Sequence, residues 1–118
     1  MDIDTAVALA RAAVGAPEDI PAEALPVRRL DRDATYVLVR LGRRGEPGWL
    51  AAVDPAVRDV LSWARNPSGE STVPEGVGEL VWRPSVRSRS PLYPLLLDGG
   101  VFTDLSGNRW TDLPHGRG

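Results

Sequence analysis

The hydrophobic period of this chain changes once, and that change limits the folds open to it. Residues 4 to 15 read as a helix, with Ile3, Val7, Ala10 and Val14 at i, i+4, i+7 and i+11 on one face. Asp4 has the side-chain oxygen of an N-cap, Gly15 suits the left-handed residue after the last turn, and Pro17 prevents continuation. Residues 17 to 26 hold Pro17, Pro21 and Pro26 and read as a connector. The period then becomes two. In TYVLVRLG, Val37, Val39 and Leu41 share one face while Tyr36, Leu38 and Arg40 share the other. GRRGEPG, at 42–48, turns the chain into WLAAVD, which completes a hairpin.

The stretch DPAVRDVLSWARNP, 54–67, satisfies two local rules at once. As a helix it would start on Asp54 and Pro55, bury Val57, Leu61 and Ala64, and stop at Asn66-Pro67. As a turn at Pro55–Asp59 it would lead into a strand, VLSWAR. An internal echo favours the turn and strand. VFTD-LSGN-RW at 101–110 parallels AAVD-PAVRD-VLSW at 51–63, and its Ser106-Gly107-Asn108 is turn chemistry. The expected organisation is a single α+β domain: an N-terminal helix with a three-stranded meander (1–66), a polar, breaker-rich linker (67–78), a second β-meander (79–113) and a mobile tail (114–118). The helix packs on antiparallel β-meander sheets, and the C-terminal half is rich in strand.

Composition excludes several chemistries. The 118 residues are one domain's worth and contain no cysteine, which removes disulfides, thiolate catalysis and zinc–thiolate sites together. No segment approaches the ~18 apolar residues of a membrane span. The opening MDIDTAV is acidic rather than basic, so the sequence reads as cytoplasmic, with neither signal peptide nor membrane partner. All 14 basic residues are arginine, which with the wealth of Ala, Val, Gly and Pro reflects the coding of a GC-rich bacterial genome.

A helix of the AVALARAAVG kind, an extended segment, YVLVRLG and a strand ending in VDxxxxxVL together resemble the PepSY domain, over residues 5–61. The resemblance implies a cystatin-like sheet wrapping a helix, with the second half as a degenerate copy lacking the helix. It also implies peptide binding or inhibition without catalytic residues. Val57-Arg58 stands where that family usually has Thr-Gly.

No motif for catalysis, cofactor or metal emerges. His115, the sole histidine, sits in the terminal LPHGRG without a partner that would fix it as a base. The aspartate pairs Asp2/Asp4, Asp31/Asp33 and Asp54/Asp59 fall at caps and turns, where backbone amides recruit such side chains. No phosphate loop, dinucleotide fingerprint or nucleophile elbow is present.

VWRPSVRSRSPLYPLLL, 81–97, carries Arg83, Arg87 and Arg89 and no acid. As one strand it would align the three arginines on one face, beside Trp82 and Tyr93. The plain reading is a solvated edge that resists aggregation. The functional reading is a docking strip for a protein or peptide, acidic partners being its natural complement. Trp82, Arg83, Arg87, Arg89, Tyr93 and Trp63 are the candidate partner-binding residues. Trp49 and Trp110 read as core. The net charge of −2 argues against nucleic acid. A non-enzymatic binding module, such as an inhibitor, an immunity-type protein or an accessory factor, is therefore the expectation. The alternatives are a small carboxylate-dependent enzyme and a nucleic-acid-associated factor.

Overall fold

The computed structural model describes residues 3–83 and 90–111. It contains one helix, α1 (Ile3–Val14), followed by eight strands: β1 (Ala22–Arg29), β2 (Thr35–Leu41), β3 (Gly48–Asp54), β4 (Asp59–Asn66), β5 (Glu79–Trp82), β6 (Leu95–Asp98), β7 (Val101–Thr103) and β8 (Arg109–Trp110). The fold is α+β, and the hydrogen-bonded strand order is β4-β3-β2-β1-β5-β6-β7-β8. The pairings with a defined register are antiparallel except β1–β5, which is parallel. The chain divides into two compact units, one comprising the residues up to Pro26 with Tyr36–Ser71, the other Val27–Thr35 with the residues from Thr72 on.

In the first unit α1 begins at Ile3, one residue earlier than its sequence suggests, so Asp4 lies inside the first turn rather than capping it. An acid there still faces the positive end of the helix dipole. The C-terminal signal is realised: Gly15 takes φ 71°, and the amides of Gly15 and Ala16 both donate to the Arg11 carbonyl, at 2.9 and 3.1 Å. The buried stripe centres on Ala6 and Ala10, with Val7 and Val14 partly covered; Ile3 is exposed. Small side chains on this face let the helix lie close to Val37, Val39, Leu41, Ala51 and Val53 of β2 and β3.

Strand β2 is not half-exposed, as simple alternation implies. Tyr36 and Leu38, on the face away from this cluster, are buried as fully as Val37 and Val39. Arg40, the polar member of that second face, pairs with Glu23 of β1.

Strand β1 replaces the second half of the expected connector. It was hidden by Pro26 and by Glu23, Arg28 and Arg29, which break any alternation. The Gly42 amide donates to the Pro21 carbonyl and the Arg29 amide to the Ala34 carbonyl, the pattern of an antiparallel pairing with β2. Alternation then turns the amide positions of residues 26, 28 and 30 towards β5. The Leu30 amide bonds the Trp82 carbonyl at 2.8 Å, and the register begins at Arg28↔Val81. Pro26 thus stands one step short of the ladder, where its missing N–H costs no strand hydrogen bond.

The ambiguous stretch after Asp54 is a turn and a strand, not a helix. Asp54 pairs with Asp59, and the four residues between them form the loop. The Asp54 carboxylate accepts from the Ala56 amide at 3.1 Å, the capping role expected of it. Arg58 takes φ 55°, the one described non-glycine residue in the left-handed region. For a residue with a Cβ that conformation costs about 1 kcal/mol. Arg58→Gly is therefore expected to raise stability by roughly 0.5–1 kcal/mol, since relief of strain outweighs the added chain entropy of glycine. A rise in the thermal midpoint measures it, and a fall would show that the arginine side chain makes a contact worth more than the strain. The register between β3 and β4 slips between Ala52 and Val53, leaving Leu61 as the extra residue of a bulge.

In the second unit the C-terminal half gives four strands, β5 to β8. Gly99 and Gly100, at φ 58° and 80°, form the two-residue turn between β6 and β7, the primed geometry that matches strand twist. Asp104 and Asn108 close the β7–β8 turn through both backbone and side chains, including a 2.8 Å bond from the Asn108 amide to the Asp104 carboxylate. Val81 and Leu95 form the core here, with Leu30, Leu97, Phe102 and Trp110 packed on them.

Candidate functional site

The sequence stretch 81–97 is not one strand. β5 ends at Trp82 and β6 begins at Leu95, so Arg83 lies past the end of a strand. Arg87 and Arg89, and the tail with His115, lie outside the described residues. The aligned row of three arginines is therefore not a strand face that includes Arg83.

Trp82 is a core residue, only 6% exposed, and not a contact surface. Its ring is covered by Arg29, whose Cζ lies 5.0 Å from the ring centroid. Arg29 is itself held by a two-pronged bond to Asp31, Nε to Oδ1 at 3.0 Å and Nη2 to Oδ2 at 2.8 Å. A flat guanidinium can satisfy a carboxylate with its edge while stacking its face on an indole. Asp31 is thus an ion-pair partner as well as a bend residue, and the bond from Arg29 holds its carboxyl below the usual aspartate value. A carboxyl depressed in the folded state contributes stability above its unfolded pKa and loses that contribution as pH falls through the folded one. Stability is accordingly expected to decline from about pH 4 downward, and Asp31→Asn to flatten part of that decline. Chemical denaturation of both proteins across the acid range measures it; equal slopes would show that the pair carries no linkage. Arg28 and Glu79 make a second forked pair on the β1–β5 ladder, at 2.9 and 2.7 Å, but both are solvent-exposed and contribute little.

Tyr93 is half-exposed at 49%. Its backbone is fixed by a turn. The Tyr93 amide bonds the Ser90 carbonyl at 3.1 Å, the Leu92 amide bonds the Ser90 hydroxyl at 3.2 Å, and the Thr72 hydroxyl donates to the Leu92 carbonyl at 2.6 Å. With Pro94 fully buried, residues 91–94 form an anchored turn.

Trp63 is the most exposed tryptophan, also at 49%. It sits on β4 directly opposite Ala51, and Arg65 sits opposite Trp49. Paired residues share a face, so Trp63 and Arg65 project on the α1 side of the sheet. Trp63 is open there because β4 is the outermost strand, and no described strand pairs with its far edge. The edge runs for eight residues from Asp59 to Asn66 and contains no proline. Of the six candidates, then, the structure buries Trp82, detaches Arg83 from the strand, and leaves Trp63 and Tyr93 as exposed aromatics. Sequence reasoning named Trp63 but not the open edge beneath it, because strand order is not written in local pattern. Among the described residues, no three histidine or carboxylate side chains converge as a metal site.

No family model matches this chain, and no curated protein or solved structure matches it.

Proposed function

We propose that the protein is a small non-enzymatic module of the bacterial cytoplasm that binds a protein or peptide partner, with the partner added as an extended strand along β4. The observation that carries this reading is a half-exposed tryptophan on an open, proline-free edge strand. An open edge supplies a row of backbone donors and acceptors, and a neighbouring pocket or aromatic supplies preference among side chains. Tryptophan is strongly enriched among residues that dominate interface energetics. The PepSY resemblance of residues 5–61 supports the same reading, since it implies peptide binding or inhibition without catalytic residues.

A random peptide library displayed on phage and selected on the immobilised chain tests the proposal. Enriched peptides are expected to bind the wild type and to lose roughly tenfold or more in affinity towards Trp63→Ala. Enrichment that ignores Trp63, or no enrichment, would overturn it.

A further inference from the structure

We infer that β4 is also a self-association edge, on which a second copy of this chain pairs antiparallel about a two-fold axis at Ala64. The inference rests on the reading of β4 as a contact edge, and it names one specific occupant.

The argument starts from the bulge. Leu61 interrupts the register with β3, so Asp59 and Val60 on one side of it and Ser62–Asn66 on the other belong to different stretches of regular strand. Ser62 to Arg65 presents the open part of the edge after the bulge; Asn66 is 7% exposed and is tied to Gly69 and Glu70. A symmetric antiparallel contact uses the same patch on both copies. Centring it on Ala64 uses Trp63, Ala64 and Arg65. Ala64 then faces Ala64 of the second copy, and Trp63 faces Arg65, that pair occurring twice.

That register is chemically self-complementary. Trp63 and Arg65 are both exposed and both on the α1 face of the sheet, so the guanidinium of each copy meets the indole of the other. A cation over an indole is among the favourable cross-strand pairs. Alanine at the axis removes the bulk that would hold two strands apart. The competing centre at Arg65 sets arginine against arginine, a repulsive direct pair. A centre at Trp63 sets indole against indole and leaves Arg65 opposite the bulge residue Leu61, so the cation has no ring to meet. A centre at Ser62 would set Asp59 opposite Arg65, which is attractive in sequence. The bulge, however, puts Asp59, partner of Asp54, on the opposite sheet face from Arg65, partner of Trp49. The register at Ala64 is the one that satisfies face and charge together.

The chain has no cysteine, so a single introduced thiol reports the axis without background. The full chain carrying Ala64→Cys is oxidised with diamide, which takes up the two thiol hydrogens as the disulfide forms, and is compared with Ser62→Cys. Residues facing across an antiparallel pair have Cβ atoms ~5 Å apart, close to disulfide geometry. The two Ser62 positions would lie about 14 Å apart, four residues along the strand. The covalent dimer is expected to form at least about tenfold faster from Ala64→Cys than from Ser62→Cys. Sedimentation velocity of the wild type should show concentration-dependent dimer, and Trp63→Ala should weaken it roughly tenfold or more. A wild type that stays monomeric at every concentration, or two cysteine variants that cross-link at equal rates, would sink the proposal. Monomer throughout with Trp63-dependent peptide binding would remove self-association and leave the peptide reading standing. Dimer at the Ala64 axis without any peptide retained would do the reverse.

Discussion

Replacing Trp82 with alanine is expected to lower the free energy of unfolding by about 4 kcal/mol. The ring is 6% exposed at the end of β5, with Arg29 stacked on one face at 5.0 Å. Removal of a buried indole loses the transfer energy of a large apolar group and leaves a void that close-packed surroundings fill only in part. It also strips the cover from Arg29, whose partner Asp31 would then hold it over empty space. Urea unfolding followed by circular dichroism measures the loss without relying on tryptophan emission. A change under about 1 kcal/mol would mean that the ring behaves as a surface residue and that the sequence-based reading of it as a contact point deserves revival.

Gly69→Ala is expected to cost about 3 kcal/mol, for a different reason. This glycine follows β4, takes φ 68°, and is buried. Its amide bonds the Asn66 carbonyl at 3.2 Å and its carbonyl accepts from the Gly45 amide at 3.3 Å. A Cβ here would overlap the backbone nitrogen and oxygen of Glu46 and approach the Gly45 nitrogen to 2.8 Å. Backbone atoms give way far less readily than a side chain. Gly45, at φ 79° with open space where its Cβ would be, is the matched control. Gly45→Ala carries only the left-handed penalty, about 1 kcal/mol. The difference between the two substitutions, read by thermal or urea unfolding, isolates the collision between the 43–46 turn and the segment after β4. Equal losses would show that the loops separate at little cost.

The sequence disclosed what local chemistry decides. Gly15 and Pro17 end the helix where they should, and the pairs of hydrophobic runs around GRRGEPG and at 101–110 form hairpins. The segment 54–66 shows why a helix pattern can lose. Asp54 and Pro55 would start a helix equally well, but Val53 and Val60 gain more by pairing in the sheet against α1, and Arg58 accepts a strained conformation to allow it. The internal echo supplied that answer; propensity alone did not.

What stayed hidden depends on residues far apart in the chain. β1 carries a proline and the exposed charge of Arg28 because it is a strand whose pairing changes partner along its length, and no periodicity records a change of partner. Trp82, flanked by Arg83 and Pro84, looked like a surface residue. Its burial follows from Arg29 and Asp31, whose proximity no spacing rule connects to it. Trp63 illustrates the opposite case, where an apolar residue on the helix-facing side stays exposed because its strand is last in order.

The division of β1 between the two units has a kinetic meaning. Arg28 and Glu79, joined across β1 and β5, are 51 positions apart, and the parallel ladder between these strands must close a loop that contains β2, β3 and β4 entire. Contacts of such long range are made late, because the entropy of loop closure is spent before they return any stabilisation. A ribosome releasing this chain from its N-terminus emits α1 and the first four strands well before β5 exists. Through that interval the amides of residues 28 and 30 have no ladder to join, and Arg29 and Asp31 form their fork with no indole beneath it. Pro26 and the exposed charge of Arg28 then keep a waiting strand from pairing with a neighbouring nascent chain. The same residues that disguise β1 in the sequence protect it during synthesis.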